Sequence, residues 1–287
     1  MATVKSTTFK ACGLELHALE AGEGQPVLFV HGWPTNAQLW RHVLAEVGET
    51  RRAIAIDLPG FGQSAKPLDA AYDFKFYDQV FDESLAALGV DRLGLCVHDA
   101  GGALGLHWAV QHPDRISELC LLNTVASAKA SWAVVAFILL ARTPLLCRLT
   151  TTQWGIASGM RYGVQNRNRL TPEVIELYTA PFRDPNARAV FIRAVRALSK
   201  QRGGMKRVEA GLTGFAETPL RLIYGAHDRI LPGVARTMRF VQKILPHAEL
   251  TELTKLGHFL QEDSPEEVAA LVAEFFARRQ PEVAVED

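Results

Sequence analysis

No stretch of this 287-residue sequence is long enough to cross a bilayer. The longest apolar run, Trp132–Ala141, falls well short of the about 20 residues a spanning helix needs, and it reads as a buried or interfacial helix. Excess charge of either sign is also missing: Lys+Arg and Asp+Glu number 31 each. That balance favours neither nucleic acid nor a membrane surface as a partner. Four cysteines, Cys12, Cys96, Cys120 and Cys147, are scattered without CxxC spacing, which argues against a zinc or dithiol site. Cys96 and Cys120 lie in apolar runs and are expected as reduced core residues. The first residues carry no apolar segment of the kind a secretory leader has, so a cytoplasmic location is expected. "GFGQS", Gly60–Ser64, follows a strand but lacks GxGxxG spacing and helix context, so no dinucleotide cofactor is expected. No metal cluster, other cofactor or internal repeat is evident either.

What is present is a large apolar content, 48%, enough for a sizeable core, and a regular alternation of elements. Continuous apolar strands are predicted at "PVLFVHG", "RRAIAID", "RLGLCVHD" and "ISELCLLNT", and again at "LRLIYG" and "AELTEL". Helical periodicity separates them, with Phe76, Val80, Phe81, Leu85 and Leu88 on one face of a helix over 74–88. Apolar strands alternating with helices predict an α/β protein with a mostly parallel sheet covered on both faces. The first residues alternate and turn at Gly13, which predicts an antiparallel edge hairpin. From about residue 127 to 215 the strand signals stop, and the stretch is helical in pattern with Pro144, Pro172, Pro181 and Pro185. It is too long for a loop. The expected organisation is a core domain of residues 1–126 and 216–287, with a helical cap of residues 127–215 inserted after the fourth parallel strand. The tail 280–287 is expected to fray.

In an open parallel sheet, ligands bind beyond the carboxyl ends of the strands. Four such ends carry suggestive residues: His31-Gly32-Trp33-Pro34, Asp99, Asp228 and His258. Asp99 ends an apolar strand and is followed at once by Ala100, Gly101 and Gly102. That pattern suits a strand–turn–helix nucleophile elbow, whose neighbours must be small. Val97 stands where serine enzymes of this type usually have glycine, and an aspartate there also serves as a helix N-cap. Asp228 beyond a later strand and His258 before the last helix complete the order nucleophile, acid, histidine.

These motifs carry a resemblance. With "HGWPTNAQLW", "DLPGFGQSAKP", "VHDAGGALGLHWA", "YTAPF" and "GHFLQEDSPEEV", the chain resembles the α/β-hydrolase superfamily over nearly its whole length. Within it the likeness is to haloalkane dehalogenases, epoxide hydrolases and haloacetate dehalogenases. The resemblance implies an eight-stranded sheet and an enzyme. A carboxylate displaces a leaving group from saturated carbon and forms an alkyl ester. In the implied scheme Asp99 is the nucleophile, His258 the general base for water, and Asp228 the acid that orients the imidazole. The backbone N–H groups of Trp33 and Ala100 are expected to form the oxyanion hole. The implied partners are a small apolar organic substrate and water.

The departures matter as much. Haloalkane dehalogenases hold the leaving halide with two side-chain N–H donors, one of them usually a tryptophan directly after the nucleophile. Here that residue is Ala100, and the second position, often asparagine, is Trp33. Trp33, Trp154 or Trp132 is then expected to supply a donor, or to be a packing residue only. Epoxide hydrolases need lid tyrosines, for which Tyr162 and Tyr178 are the candidates. Haloacetate dehalogenases carry arginine after the nucleophile; cap arginines such as Arg161 or Arg167 are candidate substitutes, with solvated side chains as the alternative. Asn123, at a strand end where some dehalogenases place the acid, is not an acid. The expected reaction is dehalogenation of a small organohalide to an alcohol. The alternatives are epoxide hydrolysis to a diol and a non-catalytic small-molecule binder on the same scaffold.

Overall fold

The structure, a computed structural model, describes residues 1–129 and 131–278. The tail expected to fray therefore lies outside the described residues. Eight strands form one sheet: β1 (Lys5–Ala11), β2 (Leu14–Ala21), β3 (Pro26–Val30), β4 (Arg52–Ile56), β5 (Leu93–Asp99), β6 (Ile116–Thr124), β7 (Leu220–Gly225) and β8 (Glu249–Leu253). Their order is β1-β2-β4-β3-β5-β6-β7-β8. The antiparallel β1–β2 hairpin turns through Cys12 and Gly13, both at positive φ, and its strand β2 pairs antiparallel with β4; the five remaining pairings are parallel. Edge strand β1 alternates in exposure, while β5 is buried along its whole length. That contrast follows from covering the central strands on both faces.

The helices are α1 (Arg41–Val47), α2 (Phe74–Ala87), α3 (Ala100–Ala109), α4 (Trp132–Arg142), α5 (Pro144–Thr150), α6 (Gln153–Gly163), α7 (Pro172–Thr179), α8 (Pro185–Leu198), α9 (Arg202–Gly211), α10 (Val234–Ile244), α11 (Leu260–Asp263) and α12 (Pro265–Ala277). Successive residues of β3 show the two covered faces. Phe29 meets Phe276 of α12 edge-on, whereas Val30 lies beside Gly105 of α3. Between β6 and β7 the described residues form helices α4–α9 and short 3-10 turns, with no strand. The prolines there open elements: Pro144, Pro172 and Pro185 each stand at the first position of a helix, where the missing N–H is not needed. The sequence pattern passed over α1, a two-turn helix preceded by a 3-10 turn (Ala37–Trp40). No helix among the described residues is long and apolar enough to cross a membrane.

One buried ion pair ties the last helix to the centre of the sheet. The Arg51 guanidinium meets Glu118 of β6, and its Nε donates to the carbonyl of Phe276 in α12 at 2.7 Å. Both side chains are buried. Removing one partner strands the other charge out of water. Glu118→Ala is expected to cost about 3–5 kcal/mol, read as a lowered urea midpoint with an unchanged slope.

Candidate active site

The carboxyl ends of β5, β7 and the loop after β8 converge on three side chains. Asp99 ends β5 with φ 48° and ψ −126°, a left-handed conformation that an aspartate adopts only where its surroundings impose it. The surroundings are crowded. A Cβ on Gly32 would stand 2.4 Å from the Asp99 Cβ, and one on Gly102 would stand 1.7 Å from Thr124 Oγ1. Glycine is needed at both positions so that the β3 loop and β6 can close on the bend. Thr124 Oγ1 donates to the Asp99 carbonyl at 2.6 Å and fixes it from the β6 side. The side chain does not cap α3; it projects past the strand end.

The Trp33 backbone N–H donates to Asp99 Oδ2 at 3.0 Å, and the Ala100 backbone N–H also helps to hold the Asp99 charge. Asp99 Oδ1 lies 3.4 Å from Nε2 of His258. The other ring nitrogen of His258, Nδ1, donates to Asp228 Oδ2 at 2.8 Å. Asp228 is oriented in turn: its Oδ1 accepts from the N–H groups of Ile230 at 2.9 Å and Leu231 at 2.6 Å. The structure thus brings Asp99, His258 and Asp228 together, with the Trp33 and Ala100 N–H groups at the first of them.

The trio is dry. Asp99 retains 9% of its accessible surface and His258 none. Burial alone depresses the basicity of His258, but the carboxylates of Asp228 and Asp99 outweigh it and lift the imidazole to about 10. Burial pushes the Asp99 carboxyl up, and His258 more than offsets this, leaving it below its usual range. The resting site is therefore an imidazolium between two carboxylates.

Around His258 runs a second set of contacts that sequence reasoning missed. Asn123, buried at φ 32°, donates through Nδ2 to the carbonyls of Gly257 at 2.8 Å and His258 at 3.0 Å, and its Oδ1 accepts the Gly225 N–H at 2.9 Å. It pins the histidine loop to the strand that carries Asp228. His98 Nε2 donates to the same His258 carbonyl at 2.9 Å, and burial pulls this imidazole down to about 4, keeping it neutral. The inserted helices also reach the loop: Gly163 O accepts the His258 N–H at 2.7 Å, while Asp263 accepts from Gly257, Gln165 and Asn166. The one sequence signal for these partners was position, at a strand end beside a candidate residue.

The remaining candidates separate into two groups. Trp33 stays at the site; its ring stacks on Phe61 and meets Phe191 of α8 edge-on, and its indole Nε1 is buried without a partner. Trp154 and Tyr162 do not join it. They are 74% and 53% exposed, and among the described residues no hydrogen bond or ion pair connects them to the trio. Both sit on the outward side of α6, whose buried residues Ile156, Ala157 and Met160 face the protein. The helical period placed them on the inserted helix but did not say which face turns inward. Trp132 is likewise 74% exposed. Tyr178 is buried, but its hydroxyl donates to Glu262, which also forms a bidentate pair with Arg41. His31 is structural: Nδ1 donates to Gly32 O at 2.8 Å and Nε2 accepts the Leu58 N–H at 3.1 Å. No group of residues fit to hold a metal occurs among the described residues.

The sheet order and the bend at Asp99 define an α/β-hydrolase-fold protein, and residues 25–144 match the family model described as alpha/beta hydrolase fold. Within that class the chain is similar to haloalkane dehalogenases. It is 28% identical to the haloalkane dehalogenase of Agrobacterium fabrum, over 96% of this chain and 92% of that protein. It is 29% identical to the cis-3-alkyl-4-alkyloxetan-2-one decarboxylase of Shewanella oneidensis, over 92% and 85%. The solved structure of the haloalkane dehalogenase DatA from Agrobacterium tumefaciens superposes with a TM-score of 0.80 at 27% identity, covering 96% of this chain and 97% of that one.

The charge pair has a signature in stability. The folded-state value of His258 is raised from 6.5 to about 10. Its contribution is therefore complete below 6.5 and is lost as pH rises through 10. The lowered Asp99 carboxyl acts at the other end: its contribution is present above the usual carboxylate range and is lost as pH falls through the depressed value. The unfolding free energy of the native protein, less that of His258→Gln, is expected to decline steadily between pH 6.5 and 10 in urea titrations.

Proposed function

We propose that this protein is a hydrolase acting through a covalent alkyl ester on Asp99, and that its reaction is the dehalogenation of a small organohalide to an alcohol. The observation that carries the reading is the disposition of the two Asp99 oxygens. Oδ2 is held by the Trp33 N–H, while Oδ1 is left to attack and lies 3.4 Å from a His258 Nε2 that has no hydrogen-bond partner. A binder has no use for a histidine held by one carboxylate with its second ring nitrogen facing another.

The chemistry follows from the charges. Asp99 Oδ1 displaces the halide from saturated carbon, and the halide departs with the bonding pair. The buried, unpartnered indole N–H of Trp33 is the donor available to the leaving group. Alkylation neutralises Asp99 and so removes one of the two carboxylates that hold His258 protonated. The imidazole then releases its proton, which leaves the site with the halide as HX, and it becomes a base only once the ester exists. It then takes a proton from water, the hydroxide adds to the ester carbonyl carbon, and the oxyanion is held by the N–H groups of Trp33 and Ala100. Collapse returns Asp99 and expels the alkoxide, which takes the proton from His258. The inserted helices act as a cap, and Phe191 of α8, Phe137 of α4 and Phe182 supply an apolar wall against Trp33 and Phe61. That lining suits an apolar substrate. No cofactor takes part in the scheme.

A second reading is favoured by Ala100, which gives the leaving group no side-chain donor. A strained β-lactone carries its leaving carboxylate within the substrate, and one of the relatives at this level of identity is named for decarboxylating such rings. Attack of Asp99 on the ring carbon bearing oxygen breaks that C–O bond. Loss of CO2 then forms the alkene and expels Asp99. Epoxide hydrolysis is less well served, because Tyr178 gives its hydroxyl to Glu262 and Tyr162 is turned to the surface.

Incubating His258→Phe with haloalkanes or epoxides is expected to trap an alkyl adduct by intact mass, mapping to Asp99, whereas a β-lactone adduct, which breaks down by loss of CO2, needs no imidazole to leave. Halide and alcohol released by the native protein select the first reading; CO2 and alkene select the second. Loss of turnover in Asp99→Ala is required by both, and turnover surviving that substitution overturns both. Trp33→Phe keeps the aromatic stack and removes the N–H. It is expected to lower halide release about 10²–10³-fold with the adduct site unchanged.

A further inference from the structure

We infer that helices α4, α5 and α6 form a face that docks on the surface of an anionic lipid bilayer. Most large apolar side chains left in solvent belong to this stretch: Trp132, Val135 and Leu139 on α4, Leu146 and Leu149 on α5, and Trp154 on α6. On α4 the exposed positions are 132, 135, 136 and 139, one stripe at helical spacing and wholly apolar. An ordinary amphipathic helix turns such a stripe inward, whereas this one turns it out. The helices are neighbours, α4 packing on α5 and α5 on α6, and each carries exposed apolar side chains.

Charge identifies the occupant. Between Glu118 and Glu173 the chain has no acidic residue, and its charged residues are Lys129, Arg142, Arg148, Arg161, Arg167 and Arg169. Arg148 stands between Leu146 and Leu149 on α5, and Arg161 and Tyr162 lie two turns beyond Trp154 on α6. Arg148 and Arg161 are exposed and have no carboxylate partner among the described residues. Tryptophan, leucine and tyrosine interleaved with arginine is the composition that lies in a headgroup layer, apolar groups sunk among the acyl chains and cations at the phosphates. A second copy of the chain fits less well, because self-pairing sets arginines against arginines with no acid on either side. The zero net charge of the whole chain conceals the feature, since the balancing acids all lie outside this stretch. The same helices line the proposed site from within through Phe137, so the docked face lies on the outside of the cap that covers Asp99. An apolar substrate dissolved in the bilayer is thereby brought to the cap.

The test needs no turnover and stands apart from the proposed chemistry. Full-length protein is floated with phosphatidylcholine vesicles and with phosphatidylcholine–phosphatidylglycerol vesicles, at low and high salt, and its mass is followed by sedimentation equilibrium. Flotation with the anionic vesicles is expected, weakened by salt and about tenfold stronger than with the neutral ones. A Trp132→Glu/Leu139→Glu double variant and, separately, an Arg148→Glu/Arg161→Glu double variant are each expected to lose about tenfold while keeping the native circular dichroism spectrum. The inference is overturned by an absence of flotation, by equal flotation with neutral vesicles, or by flotation that persists in a folded double variant. It is also overturned by a dimer that Trp132→Glu/Leu139→Glu dissociates, which assigns the face to a second copy.

Discussion

A carboxylate and an imidazolium held 3.4 Å apart, with most of their surface buried, are the constraint around which the rest of this molecule is arranged. Opposite charges in a dry interior attract strongly, but each has given up its hydration to be there. Such a pair survives only where the remaining polar atoms find partners. The structure provides them: Asp228 for one side of the ring, the Trp33 N–H for the far oxygen, and the Ile230 and Leu231 N–H groups for Asp228 itself. The left-handed bend at Asp99 belongs to the same requirement. An aspartate in the extended conformation usual for a cap, as Asp73 has ahead of α2, would spend its charge on the N–H groups of α3.

The pair is also self-limiting. While Asp99 is ionised, His258 is a cation and cannot act as a base. The electrostatics therefore impose an order on the proposed reaction, with ester formation first and deprotonation of water second, and no moving part is needed to enforce it. The neutral neighbours are kept neutral by other means. His98 is too deeply buried to charge, and Asn123 offers an amide where a carboxylate would be repelled by the carbonyls of Gly257 and His258.

Much of the fold was legible in the sequence because its signals are periodic and strong. The alternation of β-like runs and helices predicts the parallel sheet, and the hairpin at Gly13 predicts its antiparallel edge. The helix at Arg41–Val47 was not legible, being two turns long and hidden behind a loop and a 3-10 turn. At the site, Asp99, His258 and Asp228 stood out because each follows a strand end, and the structure gathers them there. Asn123 and His98 did not, since a hydrogen bond between a side chain and a distant backbone carbonyl leaves no trace in local spacing. Trp154 and Tyr162 failed for another reason. Helical periodicity gives the angle between residues, but which face turns inward depends on neighbours that pattern alone does not supply. On α6 the inward face went to Ile156, Ala157 and Met160.

The hydrogen bond from the His258 backbone to Gly163 O, with Asp263 gripping Gln165 and Asn166 beside it, joins the inserted helices to the loop that carries the imidazole. Transplanting a foreign cap onto this core would disturb that loop unless the segment from Gly163 to Asn166 travelled with the core rather than with the graft. The natural seam for building chimaeras therefore runs through the insertion, just ahead of Gly163, and not at the boundary where the strands stop.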